Sequence, residues 1–343
     1  GLDNCGNTCY MNSALQLLYG IMELRELVVN YKCESPVIKS LKEIFILINS
    51  IKKSKKKFVS SDLLKNHLKN IFEHYPNKTV WEDQGDSEEF MSYLLNTIID
   101  NCDEGKEFEK LLTVREKSTT YCKNEHNNNI SHEKSKENNM NILKLNILNS
   151  KSVSDAIHNN MTDEKLENSE GLYECKESNK STYKKPHIVI PDINKYLFIQ
   201  LLRYSYDKNK QKLKFNEKTI KVNSSITLNN IHHYSLIGVI MRKGGDNEGH
   251  YIYASYINGA LHKVYNDNDV SQNLKHANID KHGYILLYQK IKNIHKNSTI
   301  NNMEGNIMKK LITLMQELKK QNNILHNKQK IVHKEINKSK SSR

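Results

Sequence analysis

The sequence is poor in cysteine and has no long apolar run. Six cysteines lie at irregular spacing among 343 residues. Small secreted domains that are stabilised by disulfides carry cysteine at much higher density, so we expect reduced cysteines and an intracellular protein of the cytoplasm or nucleus. No apolar run is long enough to span a bilayer, so we expect no membrane partner. The chain starts without methionine, which indicates a segment excised from a longer protein.

The sequence also lacks the signatures of nucleic-acid recognition. A net charge of +13 is typical of proteins that bind nucleic acid or anionic membranes. The lysines, however, are dispersed among asparagines, and no zinc-finger, RRM or basic-zipper motif is present. We therefore interpret the charge as solvated Asn/Lys-rich loops and expect no specific nucleic-acid partner. Nucleic-acid binding through a basic tail at residues 293–343 is the alternative.

The first third of the sequence has the apolar periodicity of helices. Helical patterns cover residues 10–30, 36–57, 63–72 and 90–98. Residues 123–139 are polar and low in complexity, which predicts a disordered loop. Residues 293–343 begin with an amphipathic pattern and continue rich in Lys, Asn and Gln. They predict a basic, partly helical tail that can hold a protein partner.

The second half of the sequence alternates in the manner of strands. Strand patterns cover residues 141–147, 196–202, 234–240, 250–256, 261–265 and 284–288. An Asn258-Gly259 pair between two of them is a hairpin signal, and residues 152–157 resemble a short capped helix. Helices first and antiparallel strands later predict an α+β fold.

One cysteine lies where a polar, glycine-containing loop becomes a helix. From Met11 the apolar residues follow one helical face, and Asn7 and Thr8 before it are N-cap types. This places Cys9 in the first turn, where unpaired N–H groups and the helix dipole favour a thiolate. A thiolate is the nucleophile of cysteine hydrolases. For a lone cysteine, a small apolar residue at the start of a buried helix is the simpler interpretation.

A cysteine nucleophile also needs a base, a group that orients the base, and an oxyanion donor. His250 follows a glycine-rich turn and opens a strand. Asn266 and Asp267 follow the next strand, so either side chain can accept the Nδ1 proton of His250. Asn4 offers a side-chain amide five residues before Cys9. Spacing alone leaves this set open, because the order Cys, His, Asn recurs by chance in chains with many histidines.

Six segments together resemble the ubiquitin-specific proteases, a papain-like family of deubiquitinases. Residues 1–13, with Gly-Leu-x-Asn-x-Gly-Asn-Thr-Cys-Tyr-Met-Asn-Ser, look like the family's cysteine box. Residues 84–90 look like its glutamine box, and residues 238–251 like its histidine box. The other matching segments are residues 196–207, 265–270 and 283–288. They follow the family's order over roughly residues 1–290, so chance is a poor explanation.

The resemblance implies a role for each matching residue. Cys9 is the expected nucleophile, His250 the general base, and Asn266 the third residue of the triad. Asp267 is expected to share or replace the role of Asn266, and Asn4 matches the oxyanion-stabilising residue. Four further residues are expected to hold the basic, glycine-ended tail of ubiquitin: Gln84, Asp86, Glu89 and Tyr251.

The sequence departs from the family pattern at the zinc site of the fingers. The family usually binds zinc there through two Cys-x-x-Cys pairs, and the matching places retain only Cys122 and Cys175. A closed zinc site needs four ligands, so we expect no zinc and no other cofactor. The less favoured alternative is that His126 or His132 replaces a missing cysteine as a zinc ligand. Arg242 also stands where the histidine box often has histidine, which bears on substrate fit.

The resemblance implies a thiol-dependent ubiquitinyl hydrolase. It would cleave isopeptide or peptide bonds at the C-terminal glycine of ubiquitin, with ubiquitin and ubiquitinated proteins as partners. The implied fold is papain-like, in a catalytic domain over residues 1–292: a helical thumb (about 1–110), fingers (about 111–190) and a β-rich palm (about 191–290). Two alternatives stay open: a catalytically weak or inactive ubiquitin-binding module, and a protease for another ubiquitin-like modifier.

Overall fold

The computed structural model describes most of the chain before residue 292. The described residues are 1–30, 32–53, 57–76, 83–124, 129–162, 164–165, 180–207, 211–245, 249–273 and 278–291. The chain divides into two compact units, Gly1–Ile291 and Lys292–Arg343. The predicted tail helix belongs to the second unit and lies outside the described residues.

Helices occupy the first third of the chain. Their bounds are α1 Cys9–Tyr19, α2 Met22–Asn30, α3 Pro36–Lys53, α4 Ser61–Glu73, α5 Ser87–Asn101 and α6 Gly105–Leu112. The helical pattern over residues 10–30 corresponds to two helices, because α1 ends at its C-cap Gly20 and α2 starts two residues later. All 11 residues of α1 are buried, so it is the central helix of this layer. Within the described residues, no helix has both the length and the apolar character needed to cross a membrane.

Strands dominate the remainder. In chain order the elements are β1 Val114–Asn124, β2 Ile130–Met140, β3 Ile142–Asn146, α7 Val153–Asn159, β4 Glu164–Lys165, β5 Lys180–Val189, β6 Tyr196–Leu202, β7 Tyr204–Asp207, β8 Lys212–Phe215, β9 Ser225–Leu228, β10 His232–Lys243, β11 His250–Ile257, β12 Ala260–Asn266, β13 Asp269–Ser271, α8 Ile279–His282 and β14 Gly283–Lys290. Helices first and antiparallel sheets later confirm the predicted α+β class.

The loop expected over residues 123–139 is wrong where the structure describes it. Strand β2 pairs antiparallel with β1 in a four-stranded sheet of order β2-β1-β5-β4. Polar cross-strand pairs make up the middle of this hairpin: Lys117 lies opposite Glu137, and the hydroxyls of Thr119 and Ser135 are 3.0 Å apart. Because residues 130–140 have low hydrophobicity, the sequence pattern did not indicate strand β2, although its backbone pairs with β1.

The larger sheet has the order β13-β12-β11-β10-β14-β6-β3, with β9 paired to β10. Its neighbours are antiparallel except β3 and β6, which are parallel. The predicted turn at Asn258 and Gly259 joins β11 to β12, and both residues have positive φ, 50° and 75°. Such a primed turn matches the strand twist and fixes the hairpin register. It thereby brings the start of β11 and the end of β12 to the same edge of the cleft.

The larger sheet separates two apolar cores. One core packs α1 and the other helices against one sheet face, which includes Ile240 and Tyr253. The other core covers the opposite face with α7 and includes Val239 and Met241. Neighbouring residues of β10 thus point to opposite sides, as strand alternation requires. Helix α1 packs directly on β11, so the two elements that begin with Cys9 and His250 are held together by the first core.

A disulfide joins Cys33, in the segment after α2, to Cys102, the C-cap of α5. The expectation of reduced cysteines is therefore wrong for this pair. The two cysteines lie 69 residues apart in sequence, and only tertiary packing makes them neighbours. Helix α5 is consequently anchored at its C-terminal end to the segment between α2 and α3.

Candidate active site

The cysteine loop is folded by its own polar side chains. Asn4 Oδ1 accepts hydrogen bonds from the backbone of Gly6 and Thr8, at 3.1 and 3.2 Å. Gly6 and Asn7 have φ of 104° and 50°, so the chain turns tightly there. Thr8 is the N-cap residue, but its hydroxyl accepts from the Cys5 N–H at 2.9 Å instead of capping the helix. Cys9 is consequently the first helical residue, and its side chain is buried.

The structure brings the three residues of the predicted triad together. The side chain of Cys9 lies close enough to the His250 ring to be the largest influence on the pKa of that ring. Its Nε2 lies 2.5 Å from Asn266 Oδ1. An amide oxygen only accepts, so Nε2 carries the proton and Nδ1 is left for Cys9. The expectation that the orienting residue takes the Nδ1 proton is wrong in that detail, and Asn266 rather than Asp267 makes the bond.

The surroundings of His250 favour its protonated form. The hydrogen bond with Cys9 raises the pKa of His250 to about 9, and the bond to Asn266 acts in the same direction against the opposing effect of burial. An imidazolium is therefore available beside the Cys9 sulfur near neutral pH. This is the state that can protonate a leaving amine.

Asp267 holds the cysteine loop. Its Oδ2 accepts from Asn4 Nδ2 at 2.9 Å, and its Oδ1 accepts from Asn12 Nδ2 at 2.7 Å. Its backbone oxygen accepts from Leu2 N at 3.0 Å. The carboxylate is thus committed to two amides and fixes the one that was expected to stabilise an oxyanion. Asn12 had no assigned role in the sequence, although a polar residue on an entirely buried helix was a usable signal.

Gln84 connects the thiol to the histidine turn. Its Oε1 accepts from the Gly249 N–H at 3.0 Å, and its Nε2 lies 3.9 Å from Cys9 Sγ. Glycine is required beside it, because a Cβ at Gly85 would lie 2.6 Å from the ring of Tyr10. Gln84 therefore lies beside the predicted triad, and its amide contacts Gly249 and Cys9 of this chain.

Asp86 is an acceptor for both the helix and the sheet. As N-cap of α5, its Oδ1 accepts from the N–H groups of Glu88 and Glu89, at 2.7 and 3.4 Å. Its Oδ2 accepts from the hydroxyls of Tyr251 and Tyr284, at 3.0 and 2.8 Å. Burial first and the Asp86 charge second raise the pKa of Tyr251, so it stays a donor. These four bonds use the lone-pair positions of the carboxylate.

The other two expected substrate-binding residues differ in exposure. Tyr251 is only 2% exposed, so its ring supports the cleft from beneath. Glu89 is exposed on α5 and accepts from the Tyr75 hydroxyl at 3.3 Å. Of the four residues expected to bind a substrate tail, Gln84 and Glu89 are the two with exposed side chains.

Arg242 supports the turn that carries His250. It is 3% exposed, and its guanidinium donates to Gly245 O at 2.9 Å and lies 4.2 Å from the ring centroid of Phe215. A Cβ at Gly249 would come within 2.5 Å of this guanidinium. Gly249 therefore lets the chain cross Arg242 closely. The sequence marked Arg242 as a departure and did not show this supporting position.

The structure adds little on metals. Within the described ranges, no group of three or more His, Cys, Asp or Glu side chains could hold a metal ion. Cys122 is disulfide-bonded. Residues 126 and 175 lie outside the described residues, as does the side chain of His132. The absence of zinc stays a prediction.

Comparison with known proteins decides the family. The model of the family described as ubiquitin carboxyl-terminal hydrolase matches residues 1–288. The chain belongs to the ubiquitin carboxyl-terminal hydrolase family. It is similar to ubiquitin carboxyl-terminal hydrolase 12 of Salmo salar, with 34% identity over 32% of this chain and 29% of that protein. It is also similar to ubiquitin carboxyl-terminal hydrolase 46 of Caenorhabditis elegans, with 34% identity over 29% and 24%. The matched segment spans under a third of these relatives.

Solved structures share the fold of this family member. A chain of the SAGA Ubp8/Sgf11/Sus1/Sgf73 DUB module bound to ubiquitin aldehyde matches with a TM-score of 0.67 and 22% identity, over 85% of this chain and 69% of that chain. A chain of a yeast SAGA DUB module with a substituted Sgf73 matches with a TM-score of 0.64 and 22% identity, over 85% and 68%. The expected papain-like protease fold is confirmed.

Proposed function

We propose that the chain is a thiol-dependent deubiquitinase. The observation that carries the proposal is the alignment of Cys9, His250 and Asn266 at the junction of α1 with the larger sheet. Family membership and the Ubp8 module bound to ubiquitin aldehyde support ubiquitin as the substrate. An inactive ubiquitin-binding module would have no need of this hydrogen-bonded set.

The reaction follows from the assigned atoms. The Cys9 thiolate attacks the carbonyl carbon of the C-terminal glycine of ubiquitin, and the carbonyl oxygen becomes an oxyanion. His250, protonated beforehand, gives its Nδ1 proton to the leaving amine as the C–N bond breaks. The neutral imidazole then takes a proton from water, which attacks the thioester and releases ubiquitin with a free carboxylate.

Two features prepare the site for the oxyanion. One amide proton of Asn4 Nδ2 bonds to Asp267, which leaves the second for the substrate oxygen. The backbone N–H groups at the start of α1 add the positive end of the helix dipole. We infer that Asp267 is a positioning residue for Asn4, because its bonds run to the cysteine loop and not to the His250 ring.

Substrate entry follows from the exposed groups. Glu89 can meet an incoming peptide without first breaking a bond between the thumb and the palm, because its bond to Tyr75 lies within the thumb. Gln84 is also exposed, but its Oε1 accepts from Gly249 of the palm. A carboxylate at Glu89 complements the basic tail expected of ubiquitin. Ubiquitinated proteins are the proposed substrates, and no zinc or other cofactor takes part in the proposed chemistry.

A ubiquitin substrate with a fluorogenic leaving group tests the proposal. Wild type should hydrolyse it, and Cys9→Ala should lose all activity while it still binds ubiquitin. A ubiquitin probe with an electrophilic C-terminus should add one ubiquitin to wild type and none to Cys9→Ala. Binding of ubiquitin by wild type without labelling of Cys9 would contradict the enzymatic role. Faster labelling by a different ubiquitin-like modifier would move the proposal to that modifier.

A further inference from the structure

Asn12 is a buried amide that the proposed reaction leaves without a role. It lies on α1 three residues after Cys9, so the two side chains leave the same face of the helix. It is 3% exposed, and its backbone N–H donates to Thr8 O at 2.9 Å in the first helical turn. The Asn12 side chain is therefore fixed relative to the turn that carries the nucleophile.

The side-chain amide of Asn12 faces oxygen atoms. Its Nδ2 lies 2.7 Å from Asp267 Oδ1, 3.1 Å from Asp3 O and 3.5 Å from Leu2 O. All three oxygens are acceptors, so the NH2 group and not the carbonyl of the amide points toward them. One proton serves the carboxylate, and the other serves the backbone oxygens. Asn12 thus ties α1 both to the start of the cysteine loop and to the turn after β12.

The opposite end of the same amide gains nothing from its burial. Asn12 Oδ1 is buried and accepts no hydrogen bond from the described residues. One turn along α1, Gln16 is 6% exposed, and its Nε2 is likewise without a partner among those residues. A buried acceptor without a donor destabilises a fold, and asparagine is a weak helix former. The stability of α1 therefore does not account for Asn12, whereas its donated bonds do.

These bonds act on the residue that holds the oxyanion donor. Asp267 accepts from Asn12 through one carboxylate oxygen, and from Asn4 Nδ2 through the other, at 2.9 Å. A carboxylate held at both oxygens cannot rotate about its Cβ–Cγ bond without the loss of one hydrogen bond. The position of the Asn4 amide is consequently set from α1, the helix that carries Cys9.

We propose that Asn12 is a positioning residue that sets the distance between the Cys9 sulfur and the amide of Asn4. It acts through the carboxylate of Asp267. When the thiolate adds to a carbonyl carbon, the C=O electron pair moves to the oxygen, and the amide of Asn4 must already face that oxygen. Loss of Asn12 leaves the thiolate in place but lets the oxyanion donor turn away. The effect on ubiquitin hydrolysis rests on the proposed function, and the positioning itself does not.

Asn12→Leu tests the role, because leucine has nearly the same branched shape and lacks the donor. With the fluorogenic ubiquitin substrate we expect kcat to fall about tenfold or more and KM to change less than about twofold, since the lost interaction counts only in the transition state. Asn12→Ala, which cannot clash with its neighbours, should show the same losses. Gln16→Leu is the matched control one turn along α1, and its kcat should be near that of wild type.

Two reactions of Cys9 separate positioning from a general loss of structure. Iodoacetamide alkylates the thiolate with loss of iodide and forms no oxyanion, so Asn12→Leu should react at the wild-type rate, as peptide mass spectrometry can show. The short peptide aldehyde acetylglycylglycinal adds the thiolate at its carbonyl carbon. The resulting oxyanion takes a proton from the His250 imidazolium, and the hemithioacetal protects Cys9 from iodoacetamide. Asn12→Leu should need about tenfold more aldehyde for half protection.

A double-mutant cycle tests the route through Asp267. Asp267→Gly removes the carboxylate, and glycine tolerates the φ of 50° at this position. In that background Asn12→Leu should lower kcat by less than about twofold, because the bond that it removes is already lost. The same loss of kcat as in the wild-type background would refute the route.

The remaining outcomes decide between the two proposals. Slower alkylation of Asn12→Leu, or an equal loss of kcat in Gln16→Leu, would refute positioning in favour of a structural effect on α1. Unchanged kcat and unchanged protection by the aldehyde in Asn12→Leu would also refute positioning. If wild type does not hydrolyse the ubiquitin substrate while Asn12→Leu still weakens protection by the aldehyde, the proposed function is refuted and the positioning is supported.

Discussion

Asp86 offers the sharpest test of how the site is built, because two roles for it make opposite predictions. The sequence suggests that its carboxylate binds the substrate tail. The structure instead shows all of its acceptor positions engaged, by two N–H groups of α5 and by the hydroxyls of Tyr251 and Tyr284. If the second view holds, Asp86 fastens α5 to strands β11 and β14, and its loss weakens folding before it weakens binding.

The magnitudes decide which substitution to use. Asp86→Ala removes an N-cap, which costs about 1 kcal/mol, and leaves two buried hydroxyls without an acceptor at ~1–3 kcal/mol each. A total of about 5 kcal/mol approaches the whole stability of many domains. Asp86→Asn can keep the cap through its one carbonyl oxygen, but an NH2 group replaces the oxygen that accepts from Tyr251 and Tyr284. The two hydroxyls lose a charged acceptor, so we expect about 2 kcal/mol of destabilisation.

A double-mutant cycle separates the two roles. Asp86→Asn is measured in wild type and in the Tyr251→Phe/Tyr284→Phe background, with urea unfolding for stability and hydrolysis of the fluorogenic ubiquitin substrate for KM. The structure predicts a cost of about 2 kcal/mol in wild type and about 0.5 kcal/mol in the double-Phe background. An unchanged free energy of unfolding in wild type, together with the same rise of KM in both backgrounds, would refute the structural role and support substrate contact.

Three further predictions concern the site. The raised pKa of His250 predicts that kcat/KM falls as pH rises through about 9, where the imidazolium is lost. Asn266→Ala should move this fall to lower pH, because the hydrogen bond with Asn266 raises the pKa of His250. A fall at the same pH in both proteins would contradict the assignment. Burial and then the Asp3 charge raise the pKa of Cys5 to about 11, so iodoacetamide at pH 7.5 should modify Cys9 and spare Cys5, as peptide mass spectrometry can show. Gly85→Ala should lower kcat/KM about tenfold or more, because its Cβ meets the Tyr10 ring, whereas Gly245→Ala, with open space around it, should be near wild type in the same assay.

The sequence predicts this site better than it predicts the fingers. The apolar period after Cys9 and the hairpin signal at Asn258 and Gly259 are local, and both survive in the fold. Strand β2 has no such signal, because its stability comes from backbone pairing with β1 and from polar cross-strand contacts. The bond between Cys33 and Cys102 is equally invisible, since 69 residues separate them and only packing brings them together.

Some roles within the matched motifs also depend on tertiary structure. The motifs single out Asp86, Tyr251 and Asp267, but spacing cannot show which atoms a side chain faces. Asp86 and Tyr251 turn out to bond each other across the junction of α5 and β11. Arg242 appears in the sequence as a mere departure from the family, yet it lies beneath the glycine that leads into His250. The sequence therefore shows which residue types belong to the site, but not which groups each side chain contacts.

There is a physical reason why Asn266 contacts His250 and Asp267 contacts the cysteine loop. A carboxylate beside the imidazolium would stabilise the ion pair further, but here the neutral amide takes that place and the negative charge lies one residue on. Asp267, at φ 50°, turns its carboxylate toward Asn4 and Asn12. An acceptor of full charge polarises the amide of Asn4 and holds it in one orientation, which is what an oxyanion donor requires before the charge develops. Asn266 needs only to accept one proton from Nε2, for which an amide oxygen suffices. The anionic group is therefore used where rigidity of a neutral donor matters most, and the charge on His250 is stabilised first by Cys9 and then by Asn266, with a smaller contribution from the Asp267 charge.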